Sequence, residues 1–385
     1  MLARATLRRL ALRDFRNFER ADLSFPDDGV AIVGENGHGK SNLLEAVYYL
    51  HLLRSVRGAR DAELVRFGGA AFHLHAEVTV PSVSAARAHE IGAGFERAGK
   101  RKRVRLDGAE VPRLADALGA LPSVIFSPGD VTLVAGSPSE RRRYLDVALA
   151  LTSRRYLAAL QAYRAALVRR NAALRDALRT GRGESRAAVW EPALAEHGAV
   201  LWTARRDWVA RWAGRFAELC AAIGERAPTR MAYETALVAA DDVGDPVAAA
   251  HAALERALAE KRGLDVKRGL THAGPHRDDL ALALGGRDLR VYGSAGQQRT
   301  AAIALRMLEA ATLREALGVE PLFLLDDPFA ELDARRARRI LELLGDAGMG
   351  QTLLVVPRVS DIPGELTRLE RRTIHDGVVT AGAEA

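Results

Sequence analysis

The pattern of apolar and polar positions divides the chain into three stretches. Up to about residue 130, the segments LRRLALRDF and GVAIVG have the short apolar character of strands, and SNLLEAVYYLHLL has the spacing of an amphipathic helix. AFHLHAEVTV alternates like a half-buried strand, and EIGAGFERAGKRKRVRLDGAEV predicts two strands around a basic turn at Lys100–Arg103. This stretch is therefore predicted to be rich in strands.

The second stretch, from Ser139 to about Lys261, is rich in alanine, arginine and leucine. Apolar residues recur there with a period near 3.5, and the turn TGRGES interrupts them. Two helical limbs joined at that turn predict a short antiparallel arm, roughly 45–60 Å long at ~1.5 Å per residue. The seam positions are Leu160, Tyr163, Leu167, Leu174, Leu178, Leu194, Leu201, Trp208 and Trp212.

Strands and helices alternate again after Gly269. DLALALGGRDLRVYG predicts a hairpin, QQRTAAIALRMLEAATLREAL a helix, and PLFLLDDP and QTLLVVP buried strands on either side of the helix ARRARRILELLG. This order is typical of an α/β fold with a parallel sheet. We therefore expect an α/β lobe formed by residues 1–138 and 269–385, interrupted by a helical arm lobe of residues 139–268.

The stretch GENGHGKSN follows an apolar strand and opens a helix, and it fits the phosphate-loop pattern G-x-x-x-x-G-K-[ST] without a mismatch. Glycines let backbone N–H groups turn toward phosphates at the positive end of the helix. Lys40 would reach the β- and γ-phosphates, and the Ser41 hydroxyl would ligate Mg²⁺. The residues expected to bind ATP are Gly34, Glu35, Asn36, Gly37, His38, Gly39, Lys40, Ser41 and Asn42.

PLFLLDDP supplies two further carboxylates. Asp326 ends an apolar run, as expected of a buried strand that delivers one carboxylate to Mg²⁺. Asp327 follows it, and successive strand residues point to opposite faces, so the two cannot share one ligand role in regular geometry. We expect Asp326 to hold the metal ion and Asp327 to orient or deprotonate the attacking water, so that the catalytic set is Lys40, Asp326 and Asp327.

The motif SAGQQR, Ser294–Arg299, precedes a long helix and offers a second anion site at a helix N-terminus. One nucleotide cannot easily use two helix N-termini separated by a long insertion, so the motif is expected to meet the nucleotide of another subunit. The alternative is an ordinary capped helix start, since Ser is a good N-cap.

Charge placement adds to this picture. The net charge is +7, and residues 140–218 hold 16 arginines and 8 acidic residues, an excess as large as that of the whole chain. This concentration favours a surface that faces a phosphate backbone over an ordinary solvated helix face. The basic turn at Lys100–Arg103 is more typical of a solvated hairpin tip.

Other residues restrict the possible classes of protein. The single cysteine, Cys220, excludes a disulfide framework and is expected to be an inert buried thiol. No apolar run reaches the ~18 residues of a membrane helix, and Arg8, Arg9 and Arg13 interrupt any signal-peptide core. His89, His272 and His276 are expected to make polar contacts and not to bind zinc. We expect a cytoplasmic protein with no membrane partner.

The ordered motifs resemble those of ATP-binding-cassette ATPases and, more closely, of the bacterial RecF family of DNA replication and repair proteins. The resemblance spans nearly the whole chain. It rests on LRDFRNF, GENGHGKSN, FSPGD, GSPSERRRYLD, THAGPHRDD, YGSAGQQR and LLDDPFAELD.

The resemblance implies an ATP- and Mg²⁺-dependent homodimer that binds duplex DNA and single-strand/double-strand junctions. It also implies RecR- and RecO-like partners, recombinase loading during gap repair and the SOS response, and a weak DNA-stimulated ATPase. It further implies that Asp333 couples the two sites. Ser294, Gly296 and Gln297 would contact the γ-phosphate of the partner subunit's ATP. The whole signature acting in trans would be Ser294, Ala295, Gly296, Gln297 and Gln298.

Three departures from cassette ATPases leave hydrolysis open. Phe126–Pro128 has no γ-phosphate-sensing glutamine, and Val355–Pro357 has no histidine. Asp327 is one methylene shorter than the usual catalytic glutamate, and such misplacement costs up to ~10²-fold in rate. An ATP-binding DNA scaffold with little or no hydrolysis is therefore the alternative. A transporter subunit conflicts with the basic arm, and a small-molecule kinase leaves SAGQQR unexplained.

Overall fold

The computed structural model describes residues 3–81, 86–181, 184–238, 244–329, 332–346 and 348–382. The strands are β1 (Ala3–Arg4), β2 (Thr6–Phe15), β3 (Phe18–Ser24), β4 (Gly29–Val33), β5 (Ala71–Pro81), β6 (Ala86–Glu96), β7 (Arg101–Leu106), β8 (Ala109–Glu110), β9 (Ser123–Phe126), β10 (Thr229–Glu234), β11 (Asp279–Leu284), β12 (Arg287–Asp288), β13 (Val319–Glu320), β14 (Leu322–Asp326), β15 (Thr352–Val356), β16 (Glu370–His375) and β17 (Val378–Ala381). The helices are α1 (Lys40–Leu52), α2 (Asp61–Leu64), α3 (Thr132–Ala135), α4 (Pro138–Thr152), α5 (Arg154–Thr180), α6 (Glu184–Ala188), α7 (Glu191–Ile223), α8 (Pro246–Arg268), α9 (Leu289–Tyr292), α10 (Ala295–Leu317) and α11 (Ala334–Asp346).

The chain forms two compact units. The first unit combines Met1–Asp130 with Leu305–Ala385, and the second unit is Val131–Ala304. The second unit extends beyond the predicted arm lobe because β10 pairs with β11 in antiparallel register, which adds sheet residues after Gly269 to the helices. β10 falls within the stretch that was predicted to be helical, so this strand was missed.

The first unit contains the predicted parallel sheet, in the order β17-β16-β4-β15-β14-β9. The pairs from β16 to β9 are parallel, and β17 closes the edge as an antiparallel hairpin with β16. All five residues of β15 and the first four of β14 are buried. Continuous apolar runs are expected where both faces of a parallel sheet are covered, so the predictions for β4, β14 and β15 are confirmed.

A second sheet in the first unit is antiparallel, in the order β3-β2-β5-β6-β7-β8. Its buried face contributes Phe15 and Phe72, which pack edge-on at 5.3 Å between ring centroids. The buried amide of Gln351 ties β2 to the start of β15: its Oε1 accepts from the Leu7 N–H at 2.7 Å, and its Nε2 donates to the Leu7 carbonyl at 2.9 Å.

The basic turn between β6 and β7 is only partly the solvated tip that we expected. Arg101 and Arg103 are exposed. Lys102, however, donates to the Leu53 carbonyl, lies 3.2 Å from Asp61 and sits 4.7 Å from the centroid of the Tyr49 ring. Alternate residues of a strand point to opposite faces, which is why one lysine of the run turns inward.

Helices dominate the second unit. α5 contacts α7, and α8 contacts both. Most of the predicted seam is buried, but Leu167 is half-buried and Leu178 is exposed. α5 ends at Thr180 and α6 begins at Glu184, so part of the predicted TGRGES break lies outside the described residues.

A fully buried arginine holds these helices together. Arg170 on α5 donates to Asp265 on α8 at 2.7 Å, to Glu191 on α7 at 2.9 Å and to the Thr271 hydroxyl at 2.8 Å. Both carboxylates are themselves buried. Removing one member of such a buried set is costly, because it leaves the others charged and unpaired in a low-dielectric interior.

We therefore expect Arg170→Met to lower the free energy of unfolding of the intact protein by about 3–5 kcal/mol. The matched control is Arg179→Met on the same helix, whose side chain is 79% exposed and pairs only with Asp176 within the described part of the chain. That change should cost less than about 1 kcal/mol. Urea unfolding followed by circular dichroism measures both, and equal losses would contradict the structural role of Arg170.

Candidate nucleotide-binding site

The loop between β4 and α1 is shaped by its glycines. Gly37 and Gly39 have φ angles of +92° and +104°, in the region that favours glycine. A Cβ on Gly39 would lie 2.5 Å from Nδ2 of Asn17, and one on Gly34 would lie 2.5 Å from the carbonyl oxygen of Ile374. Neither position has room for a side chain, so close packing and backbone conformation both require this glycine pattern.

Lys40 is the first residue of α1 and is almost fully buried. Its ammonium donates to the carbonyls of Gly34 at 2.5 Å and Glu35 at 2.9 Å, so the side chain is folded over the loop. Burial lowers the pKa of Lys40, and the negative charges of Asp326 and Asp327 oppose that shift. A cation held over a glycine loop at a helix N-terminus is the arrangement that binds a phosphate chain.

Ser41 and Asp326 meet although 285 positions separate them in sequence: the Ser41 hydroxyl donates to Oδ1 of Asp326 at 2.8 Å. Asp326 is the last residue of β14, and burial raises its pKa above the ordinary carboxyl value, while the Ser41 hydrogen bond and Arg57 oppose the shift. A hydroxyl and a carboxylate side by side are hard oxygen ligands of the kind Mg²⁺ prefers, so these two residues fit that ion.

Asp327 leaves the regular strand. Its φ of +44° is unusual for a residue other than glycine, and its N–H donates to the Val355 carbonyl at 3.0 Å. Val355 and Val356 are buried in β15, and Pro357, which follows the strand, is half-buried, so Val355–Pro357 places no histidine near the site. The catalytic role of Asp327 stays a prediction.

Asn17 and Arg57 belong to the same neighbourhood and were not predicted as site residues. Asn17 donates to the His38 carbonyl at 3.2 Å and accepts from Asn42 at 2.8 Å, so it supports the loop from below. Arg57 donates to Asn42 at 3.1 Å, and its charge acts on the pKa of Asp326. Asn17 lies within LRDFRNF, but nothing in the sequence shows that this turn packs against the loop.

A buried ionic chain reaches the FSPGD segment. The Tyr48 hydroxyl on α1 donates to Glu309 at 3.4 Å, and Arg306 donates to both Glu309 and Asp130 at 2.6 Å. Asp130 in turn accepts from the Ser127 N–H at 2.7 Å. α1, α10 and the FSPGD segment are therefore joined through buried polar and charged groups.

The signature candidate SAGQQR lies in the second unit, at the start of α10. The Ser294 N–H donates to Oε1 of Gln297 at 2.9 Å, and the Ser294 hydroxyl accepts from the Gln297 N–H at 3.3 Å. Gln298 donates to the Leu289 carbonyl at 3.0 Å, and Ser294 and Ala295 are exposed. The motif caps its own helix, as the alternative of an ordinary capped helix start predicts, and its first two residues are exposed to solvent.

Asp333 caps another helix: its carboxylate accepts from the Arg336 N–H at 2.9 Å at the start of α11. It belongs to the first unit, as do the loop and both aspartates.

The arginines of residues 140–218 do not form one surface. Arg141, Arg170 and Arg205 are buried; Arg141 is paired with Asp279 and Arg205 with Asp146, at 2.7 and 2.6 Å. These residues stabilise the second unit and cannot meet a phosphate backbone. The arginines on α5 that are exposed are Arg154, Arg155, Arg164, Arg169, Arg175 and Arg179.

The histidines singled out from the sequence make hydrogen bonds. His272 contacts Asp265 at 2.8 Å, His276 contacts the Tyr163 hydroxyl at 2.6 Å and His89 contacts Asp107 at 2.9 Å. Burial lowers the pKa of His276 to about 4. Cys220 is fully buried, and burial raises the pKa of its thiol to about 12, as expected of an unreactive thiol.

The raised pKa of Asp326 predicts that this carboxylate costs stability when no cation is added. A carboxyl whose pKa is higher in the folded state binds its proton more tightly there. Its ionisation therefore lowers the free energy of unfolding, and this loss appears as pH rises through the folded-state pKa. Asp326→Asn should therefore raise the melting temperature at pH 7.5 in chelator, by roughly 1–3 °C. The advantage should disappear in acid, where the carboxyl is protonated in both states.

The control for this experiment is Asp22→Asn. Arg9 hydrogen-bonds to Asp22 and lowers its pKa, so that variant should be neutral or slightly less stable. Thermal unfolding at several pH values measures both proteins. A lower melting temperature for Asp326→Asn at pH 7.5 would contradict this interpretation of the site.

Among the described residues, no helix is long and apolar enough to cross a bilayer. Residues 6–361 match the family model described as "RecF/RecN/SMC N terminal domain". A relative from Anaeromyxobacter dehalogenans (strain 2CP-C), named DNA replication and repair protein RecF, is 42% identical over 87% of this chain and 88% of its own length.

Solved structures agree. A structure of the recombination mediator protein RecF with ATPrS, in the RecFOR pathway, matches over 99% of both chains with a TM-score of 0.88 and 30% identity. An Smc head domain derived from Pyrococcus yayanosii matches over 98% of this chain and 97% of its own, with a TM-score of 0.54 and 15% identity, and shows the shared fold. The predicted fold, an ATP-binding-cassette ATPase head with an inserted helical lobe, is confirmed, and the chain belongs to the RecF family of DNA replication and repair proteins.

Proposed function

We propose that this protein binds ATP and Mg²⁺ and acts as an ATP-dependent DNA clamp in replication and recombinational gap repair. The observation that carries the proposal is the hydrogen bond from Ser41 to Asp326 at 2.8 Å, beneath a glycine loop that has no room for side chains at Gly34 and Gly39. In this proposal the loop and Lys40 hold the triphosphate, and Ser41 and Asp326 hold Mg²⁺. The solved structures of RecF with ATP and with ATPrS support it.

The active site is completed by a second copy of the chain in this proposal. Ser294, Gly296 and Gln297 would contact the γ-phosphate of the partner's nucleotide, with Ala295 and Gln298 beside them and Asp333 coupling the two sites. The exposed position of Ser294 and Ala295 at the N-terminus of α10 supports this role. ATP binding then closes the dimer around DNA, and hydrolysis or release opens it.

In this proposal the exposed arginines of α5 contact the phosphate backbone of DNA. The DNA bound is duplex DNA and single-strand/double-strand junctions. RecR- and RecO-like proteins are the proposed partners, in the cytoplasm, with recombinase loading and the SOS response as the setting. One solved relative is described as a recombination mediator protein in a RecFOR pathway, which supports these partners.

Hydrolysis is expected to be slow. Asp327 stands where a longer glutamate is usual, and the buried Val355 and Val356 provide no γ-phosphate-sensing group. These two observations also favour the second candidate function, an ATP-binding DNA scaffold without appreciable turnover. The first candidate predicts DNA-stimulated turnover above the background, and the scaffold predicts none.

Mixing two inactive variants tests the composite site. Lys40→Ala disables a phosphate loop and Ser294→Ala disables a signature, so each variant alone should lose turnover. A mixed dimer keeps one intact pair, because the sound loop of one subunit meets the sound signature of the other. An equal mixture should regain up to about half of wild-type turnover, because each mixed dimer has one working site where a wild-type dimer has two.

DNA-stimulated phosphate release measures the recovery, and each variant mixed with wild type is the control for subunit exchange. If the exchange control shows that mixed dimers form but the two variants together stay inactive, the proposal of a composite site is wrong.

Salt dependence tests the DNA surface. Each lost phosphate contact should reduce the slope of log affinity against log salt by about 0.9. The double variant Arg155→Ala, Arg175→Ala on α5 should lose up to about two phosphate contacts, so its slope should be shallower by up to about 1.8. The control pair is Arg101→Ala with Arg103→Ala, exposed arginines on β7. Fluorescence anisotropy with a gapped duplex from 50 to 300 mM salt measures it. A shallower slope in the control double variant, with an unchanged slope in the α5 double variant, would overturn the assignment to α5.

A further inference from the structure

The tip of the β16–β17 hairpin lies against the phosphate loop. Its turn residues, Asp376 and Gly377, have φ angles of +45° and +78°, which form a tight two-residue hairpin turn. The Gly377 N–H donates to the His38 carbonyl at 3.0 Å, and the Asp376 N–H donates to Nδ1 of His38 at 3.1 Å. His38, in the middle of the loop, is therefore fixed by the hairpin through both its backbone and its ring.

Two imidazoles and a carboxylate come together at this contact. The rings of His38 and His375 stack with their centroids 4.4 Å apart. Oδ1 of Asp376 lies 3.0 Å from Nδ1 of His38, and Oδ2 of Asp376 lies 3.6 Å from Nδ1 of His375. Each of the three residues offers one donor atom, and the three atoms lie within 4.8 Å of one another, a grouping found nowhere else in the described part of the chain.

The chemistry of this cluster differs from that of the Ser41–Asp326 pair. Hard oxygen ligands suit Mg²⁺, whereas two imidazole nitrogens and one carboxylate are ligands of Zn²⁺ and similar divalent transition metals. Bonds of about 2.0–2.2 Å place tetrahedral donors roughly 3.4 Å apart. The three donor atoms lie within 4.8 Å of one another, so they must move closer, and the stacked rings must turn for both lone pairs to meet one ion. The side chains of His375 and Asp376 are 80% and 76% exposed, so they can move and an ion can reach them from solvent.

Charge also favours a cation here. Asp376 and Glu35 are the acidic residues around His38, and Oε2 of Glu35 lies 3.9 Å from Nε2 of the ring. Nδ1 of His38 meets two groups at once, the Asp376 N–H and the Asp376 carboxylate, and it can accept from the first only by turning its lone pair toward the second. A divalent cation bound to Nδ1 would take this lone pair in exchange for the hydrogen bond from the Asp376 N–H, and it would also neutralise the carboxylate.

We propose that His38, His375 and Asp376 form a binding site for Zn²⁺ or a similar divalent transition metal, with water as the fourth ligand. The bound metal joins the hairpin tip to the phosphate loop. It sits beside the nucleotide site without sharing the Mg²⁺ ligands, so the proposal does not depend on ATP hydrolysis, dimer formation or DNA binding.

The test measures Zn²⁺ binding to the untagged, chelator-treated full chain without nucleotide, by competition with a chromogenic chelator. Wild type should bind one Zn²⁺ per chain in the presence of millimolar Mg²⁺. His375→Ala and Asp376→Asn should each weaken binding at least about tenfold, since each removes a ligand. Asn tolerates the positive φ of Asp376, and His375 is exposed, so both variants should keep the fold.

The matched control is His251→Ala, which removes a histidine 3.6 Å from a carboxylate, Glu255, on α8, where the described residues offer no second imidazole. It should bind Zn²⁺ like wild type. Cobalt substitution gives a second readout: wild type should show the visible absorption of a four-coordinate site, and His375→Ala should lose it. Equal affinity in all four proteins, or loss only in His251→Ala, would overturn the proposal.

Discussion

The site depends on the close approach of the phosphate loop to parts of the chain that are distant in sequence. Asn17 and Ile374 occupy the space that a Cβ on Gly39 or Gly34 would need. The conformation of the loop therefore depends on these distant residues as well as on its own glycines. β16 and β15 flank β4 in the sheet. The hairpin turn after β16 therefore reaches the loop, and β14, the other neighbour of β15, brings Asp326 to Ser41. The phosphate site is thus a property of the whole first unit.

Buried charge is the second constraint. Arg170 and Arg205 in the second unit, and Arg306 in the first, are all buried and all engage carboxylates. Such groups are costly to bury unless they are paired, and each pairing fixes the helices that carry its members. These buried arginines serve packing, so the number of arginines overstates the surface available to a polyanion.

Local patterns predicted much of this structure. The loop, the helix α1, the buried strands β14 and β15 and the capped start of α10 each follow from a short stretch of sequence. β10 was missed because its partner, β11, lies beyond α8 in the sequence. Asn17, Arg57 and the cluster of His38, His375 and Asp376 depend on contacts between distant segments, which neither periodicity nor motif spacing encodes.

The central claim is that ATP joins two copies of the chain through the loop of one and the signature of the other. Sedimentation velocity with Mg²⁺ and saturating ATP measures this most directly, with Ser294→Ala as the comparison. The 41.6 kDa chain should double in mass with ATP, and Ser294→Ala should bind ATP yet sediment as a monomer. Wild-type protein that binds ATP and remains a monomer, or Ser294→Ala that dimerises as wild type does, would contradict the claim.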